Sequence, residues 1–199
     1  YTIANNSNRL QTVSGPITKN YTYDAAGNPK SDGQTTFTWN AGGKLASTLR
    51  SGKIHTYKTN AFDQRISKHA PLSQRFFFFY DSTGQLIGEY RNNAETTTPT
   101  DDWLVRQETV WLGDIPVTVI KKPTATSTIQ LYYVYADHLN TPRVIVNSRN
   151  TTIWRWDNVH AFGANLPFED PDNDGQTFEY NSRFPGQYFD KETNLHYNY

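Results

Sequence analysis

The chain has 199 residues, with 19 Lys and Arg against 19 Asp and Glu, and neither Cys nor Met. Such a length suits one domain or one segment of a larger one. Zero formal net charge removes bulk electrostatics as a reason to bind nucleic acid or an anionic membrane. The absence of Cys excludes disulfides, thiolate chemistry and zinc–cysteine clusters, and it fits secretion as well as a cytosolic setting.

Hydrophobic residues make up only 36%, yet 13 Tyr, 11 Phe and 5 Trp bring aromatics alone to 15%. Apolar contact must therefore come mainly from rings, and Tyr can bury its ring while its hydroxyl stays wet. Asn and Thr supply roughly a fifth of the chain, a composition closer to an extracellular β-protein than to a helical enzyme. The first residue is Tyr rather than Met. We therefore expect a processed piece or a fragment whose targeting signal is lost. No apolar run approaches the ~20 residues of a membrane-spanning helix, which argues against membrane insertion.

Read in chain order, one turn pattern recurs: an aromatic, then Asp or Asn, two residues, then Gly or another residue tolerant of a left-handed backbone. Tyr23-Asp24 leads to Gly27, Trp39-Asn40 to Gly43, and Tyr80-Asp81 to Gly84. Weaker copies run from Asn60 to Asp63 and from Asn147 to Asn150. Asp or Asn at the first position can hold a backbone N–H two residues on. A left-handed residue three positions later closes a type I turn with a bulge, the geometry of a hairpin. Tyr23, Trp39 and Tyr80 then anchor each strand end against its neighbour. A single hairpin cannot bury its own face, so the repeats must stack.

Between the turns the sequence alternates as strands do. The expected strands are 35–39, 54–57, 75–80, 86–90, 104–112, 116–121, 129–135, 143–146 and 151–156. The polar stretches 92–102 and 122–128 read as exposed hairpin loops or short linkers. Beyond Asp157 the pattern becomes irregular, with long turns. No stretch carries a helical period with caps, so the fold expected is all-β.

These strings resemble the YD-repeat family, which includes the bacterial Rhs proteins and the teneurins. The repeat half carries Tyr21-Thr-Tyr-Asp-Ala-Ala-Gly-Asn28 and Phe79-Tyr-Asp-Ser-Thr-Gly-Gln-Leu-Ile-Gly-Glu89. The second half resembles the Rhs-associated core through Val110-Trp-Leu-Gly-Asp-Ile-Pro-Val117, Tyr135-Ala-Asp-His-Leu-Asn-Thr-Pro-Arg143, Arg183-Phe-Pro-Gly-Gln-Tyr-Phe-Asp190 and Leu195-His-Tyr-Asn198. The resemblance covers essentially the whole chain. It implies stacked antiparallel hairpins forming part of a spiralling β-sheet shell, with YD-repeat hairpins over 1–91 and the core region over 92–199, continuous in one β-structure. In bacterial members the shell encloses a C-terminal toxin or effector, often freed by self-cleavage just past the core. That segment, with its Asp-Pro and Gly-Leu pairs, is expected beyond Tyr199, so neither self-cleavage nor effector activity carries over. A chain of this length is too short to close such a shell, and exposed sheet edges are expected at one or both ends.

Other motifs have competing readings. Asp170-Pro-Asp-Asn-Asp-Gly175 places carboxylates at alternate positions before Gly, as at the start of a calcium loop. Asp170, Asp172, Asp174 and the Gln176 carbonyl are then the Ca2+ ligands. The twelfth position, however, is Asn181 rather than Glu, and the alternative is an acidic, solvated turn. His138 beside Asp137 has the arrangement of an oriented base, with Thr141 the nearest nucleophile, yet the surrounding residues read as a turn and a structural His. His196 alternates with Leu195 and Tyr197 and can face solvent. Asp190 and Glu192 form a carboxylate pair of a kind common on surfaces. Phe76-Phe-Phe-Phe-Tyr80 shows rings on both faces, as in a strand buried on both sides or a subunit contact.

The expectation is a structural module and not an enzyme: a segment of a secreted or cell-surface shell that encloses or scaffolds another polypeptide. Its partners are then the remainder of a larger Rhs chain, an encapsulated effector or copies of itself. The alternative is an extracellular binding or self-assembling β-protein. It would act through open sheet edges, giving a filament or oligomer, or through an aromatic surface that stacks on glycans.

Overall fold

The computed structural model describes residues 1–72, 74–92, 103–122, 126–160 and 163–198, the side chains of 103–105 excepted. The chain is all-β, and its strands form two compact units, Tyr1–Arg75 and Phe76–Tyr199. These units divide at 75/76, whereas the sequence-based division at 91/92 follows motif content.

The first unit opens with a small antiparallel sheet of β1 (Thr2–Ile3), β2 (Leu10–Val13) and β3 (Lys19–Asn20). A second ladder follows in chain order: β4 (Thr22–Tyr23), β5 (Pro29–Ser31), β6 (Thr35–Trp39), β7 (Leu45–Arg50), β8 (Lys53–Thr59) and β9 (Arg65–His69). The small sheet is tied to this ladder by Lys19, whose Nζ lies 2.7 Å from Asp32, and by the Tyr23 hydroxyl, which donates to the Leu10 carbonyl at 2.7 Å. The buried face of the ladder is largely polar. Thr35, Phe37, Thr48, His55, Tyr57 and Arg65 turn inward, while Leu49 and Ile54 pair across β7 and β8 on the exposed face. Thr48 and Tyr57 share a hydroxyl hydrogen bond at 3.2 Å, and the Arg65 guanidinium lies 5.4 Å from the Tyr57 ring centroid.

The second unit contains β10 (Arg75–Tyr80, with Arg75 at the boundary), β11 (Leu86–Asn92), β12 (Trp103–Leu112), β13 (Ile115–Lys121), β14 (Gln130–Ala136), β15 (Pro142–Val146) and β16 (Thr152–Arg155), again neighbours in chain order. A hairpin of β17 (Gln187–Asp190) and β18 (Leu195–Asn198) completes it. The core is aliphatic on the sheet and aromatic on what covers it. Val119, Val134, Ile145, Ile153 and Trp154 meet Trp156, Phe178 and Tyr180 from the irregular segment that follows β16. Trp154 is fully buried and meets Tyr180 edge-on at 5.4 Å; Tyr132 meets Phe178 in the same way at 4.7 Å. Rings thus supply the contact that a chain with few aliphatic residues cannot draw from Leu and Ile.

Among the described residues, six turns share one geometry, at Asp24, Asn40, Asn60, Asp81, Asp137 and Asn147. In each, the N–H three residues on donates to the Asp or Asn carbonyl at 2.9–3.2 Å, and the Asp or Asn N–H donates to the carbonyl four residues on at 2.9–3.0 Å. The side-chain Oδ1 accepts the N–H of that fourth residue at 2.8–3.1 Å. The closing residues Gly27, Gly43, Asp63, Gly84, Asn140 and Asn150 all have positive φ, from 59° to 94°. The Asp137 copy is not among those read from the sequence; Ala136 stands where the pattern has an aromatic, and Asn140 where it has Gly. Two further connections are two-residue loops, Ser51-Gly52 with φ of 50° and 74°, and Gly113-Asp114.

All nine expected strands are present within a residue or two. The unexpected ones, including β7, β9, β17 and β18, carry too few alternating apolar residues to announce themselves. The Phe76–Tyr80 strand is buried on one face only: Phe76 and Phe78 are buried, whereas Phe79 is 54% exposed and rests edge-on against Tyr90. Positions 93–102 and 123–125 of the two expected polar loops lie outside the described residues. The strands flanking each loop pair antiparallel.

At Gly43 a Cβ would meet nothing within 4 Å, so a substitution there reads backbone conformation alone. Gly43→Val is expected to lower unfolding free energy by about 1–3 kcal/mol, and Gly43→Asn by well under half of that. Equal losses in chemical denaturation would refute the left-handed turn assignment.

Candidate functional site

Asp24, Asn40 and Asp81 open hairpin turns that Gly27, Gly43 and Gly84 close. Tyr23 reaches the Leu10 carbonyl, and the Trp39 indole N–H donates to the Pro29 carbonyl on the neighbouring strand at 2.7 Å. Tyr80 lines a cleft of about 410 Å3 together with Trp111, Tyr188 and Tyr197. Hydrogen bonds from Asn28 hold Asp24, and those from Thr83 and Gln85 hold Asp81, below the usual carboxylate range.

Asp170, Asp172 and Asp174 do converge, with carboxylate oxygens within 4.8 Å of one another. The loop also folds on itself: Asp170 accepts the N–H groups of Asp174 and Gly175, and Asp174 accepts the backbone and side-chain N–H groups of Gln176. Asn181, at the twelfth position, is buried and donates to Glu179 and the Tyr188 hydroxyl. The loop therefore has the acidic opening of a calcium loop without its closing carboxylate.

Asp137 does not orient His138; it accepts N–H bonds from Leu139, Thr141 and Arg143, and His138 is exposed. His196 is half-buried and tilted against Phe189 at 5.3 Å, so it does not simply face solvent; burial and Arg183 lower its pKa. Asp190 is 5% exposed at the end of β17, and its carbonyl accepts the N–H groups of Thr193 and Asn194 in the hairpin turn. That position is not surface decoration.

A charged cluster in the second unit escaped the sequence reading. A bulge between β11 and β12 leaves Arg106 unpaired in register and turns it toward Glu89, its Nε 2.8 Å from the carboxylate. Arg106 also pairs with Glu179, which Lys191 approaches at 3.9 Å; Lys191 itself pairs with Glu169 at 2.6 Å. Glu89 is 1% exposed. Burial opposes the ionisation of Glu179, but Arg106 and Lys191 outweigh it and hold its pKa below the ordinary value.

Lys121, on β13, donates to the Glu179 carbonyl and lies 3.7 Å from the Phe178 ring centroid. Burial, reinforced by Arg106, pulls its pKa down to about 8. These groups border a cleft of about 1060 Å3, whose sheet wall carries Arg106, Lys121 and Tyr132 and whose loop wall carries Asp172, Asp174 and Phe178. Arg183, which borders the smaller cleft, sits among rings, 5.1 Å from both Trp156 and Phe189, with burial pulling its pKa down to about 10. The signal available in the sequence was weak: Arg106 and Glu108 two residues apart in one strand, with nothing to say that a bulge would re-aim Arg106.

Two outcomes follow. Glu89→Gln is expected to lower stability by about 2 kcal/mol, because it removes the buried one of the two carboxylates that match the Arg106 charge; a change below about 0.5 kcal/mol in urea denaturation would show the pair to be unimportant. The carboxylates of Asp81, Asp137 and Glu179 all titrate below their unfolded values. Their contribution is therefore complete above roughly pH 5 and lost as pH falls through the lowered values. Thermal melts from pH 7 to pH 2 should show this acid loss, and Asp81→Asn should reduce it, since three of the six turns already use Asn. No protein-family model matches the chain, and no curated protein matches it.

Proposed function

We propose that this chain is a wall segment of a secreted or cell-surface shell of the YD-repeat (Rhs) type, which encloses or scaffolds another polypeptide such as a toxin. The observation that carries the reading is the sixfold recurrence of one turn geometry, which joins strands that are neighbours both in sequence and in their ladder. A ladder built this way grows by adding hairpins at its end, the growth rule a wall requires. Its work is mechanical, and its partners are the remainder of a larger chain, the enclosed effector or other copies of itself.

The test is the intact mass and assembly state of the native protein, with protease protection of any polypeptide that accompanies it. The expected result is a parent chain far larger than 22.8 kDa holding a protected polypeptide. A native chain of 199 residues with nothing enclosed would overturn the shell reading.

One observation favours a second reading, surface binding. Tyr133 and Tyr135, two residues apart on β14 and so on one face, are 46% and 55% exposed. Exposed rings of this kind stack on sugars. Glycan affinity lost on replacing both by Ala would support that reading, and no affinity across a glycan panel would dismiss it.

A further inference from the structure

Three connections of the second unit fall at one end of its ladder, because alternate hairpins of an antiparallel meander return to the same side. They are the Asp81 turn between β10 and β11, the Gly113-Asp114 loop between β12 and β13, and the Asp137 turn between β14 and β15. Together with the β17–β18 hairpin and the residues leading into it, they enclose the smaller cleft of about 410 Å3. Small-molecule sites occupy roughly 300–1,000 Å3, and this cleft falls in that range.

Rings and neutral amides dominate the lining. Trp111 and Tyr197 stand half-buried in its wall, and the Trp111 indole N–H donates to the Leu86 carbonyl at 3.2 Å, which fixes the plane of the ring. Gln85 is fixed as well. Its Nε2 donates to the Gly113 carbonyl at 2.8 Å and to Asp114 Oδ1 at 3.1 Å, and its Oε1 accepts nothing among the described residues. The side-chain amides of Asn140 and Gln187, both half-buried at the cleft, make no hydrogen bond among the described residues.

The cleft offers little charge. Asp114 is the one carboxylate among the described residues that line it, and it is exposed. Arg183 borders the cleft, but its guanidinium is engaged elsewhere. Nη1 donates to the Tyr180 and Ser182 carbonyls at 2.7 and 3.0 Å, and the Trp156 and Phe189 rings beside it do not border the cleft. Ring walls take an apolar face, and an amide matches a hydroxyl, since each is donor and acceptor at once. A pyranose combines these demands: C–H groups on its faces, hydroxyls around its edge and no charge.

We propose that this cleft binds a neutral saccharide, with one pyranose ring against Trp111 and Tyr197 and its hydroxyls on Gln85, Asp114, Asn140 and Gln187. Neither Tyr133 nor Tyr135 borders the cleft, so the site stands whether or not those rings bind glycans, and it does not depend on the shell reading.

The experiment is saturation-transfer NMR on the whole chain, with cellobiose, lactose, maltose and chitobiose as neutral probes and choline as a cationic one. At least one disaccharide is expected to bind with a dissociation constant on the order of 1 mM. Asn140→Gly removes the amide but keeps the left-handed backbone of the turn, where φ is 59°. Combined with Gln187→Ala, it should weaken binding on the order of tenfold at an unchanged melting temperature. No transfer to any of these disaccharides at about 10 mM from the folded, unmodified chain would overturn the proposal. Binding that keeps its full strength in that double variant, or that is lost with Tyr133→Ala and Tyr135→Ala, would overturn its placement in this cleft. Rings beside a carboxylate also suit a quaternary ammonium, so choline bound more tightly than every saccharide would overturn the ligand class.

Discussion

A hairpin turn that satisfies its own backbone is the constraint on which the rest of this structure depends. With few aliphatic residues, the chain cannot rely on a broad apolar face to hold strands in register. The register is held at the ends instead. An Asp or Asn side chain accepts the N–H four residues on, the backbone closes above it, and a left-handed residue completes the reversal. Each reversal fixes which residues of the next strand face inward, since a slip of one would turn them all over.

That control at the strand ends lets the faces between them be unusual. In the first unit the buried face carries Thr, His and Arg side chains around two rings, and aliphatic residues sit outside. In the second unit an aromatic core packs beside a cluster of ion pairs set by a single bulge. Buried ion pairs contribute little net stability but leave a large deficit when one partner is lost. The Arg106–Glu179 pair ties the sheet to the irregular segment after β16, and the Lys191–Glu169 pair ties that segment to the turn between β17 and β18. The cleft exists because this segment crosses the sheet with its rings and charges inward.

A wall and a binding surface make different demands, and the two units carry features of both. Strands added in chain order by a repeated turn suit a wall whose length follows from the number of hairpins. Exposed Tyr133 and Tyr135 on β14, and a charged cleft that Tyr133 also borders, are features that a purely mechanical element does not need.

Local chemistry was legible in the sequence. Asp24 with Gly27, Asn40 with Gly43 and Asp81 with Gly84 announced their turns, because an Asx side chain and a left-handed residue act within five consecutive positions. Strands 35–39 and 75–80 were readable for the same reason: alternation is a property of neighbours. The tertiary structure decided what depends on distant residues. Whether Phe79 is covered, whether Asp190 is buried, and whether Arg106 meets Glu179, 73 positions along the same numbering, are settled by a bulge and by the path of the segment after β16. Neither leaves a periodic trace. The lowered pKa of Lys121 belongs to the same class, since the burial and the Arg106 charge that lower it are brought about by the fold.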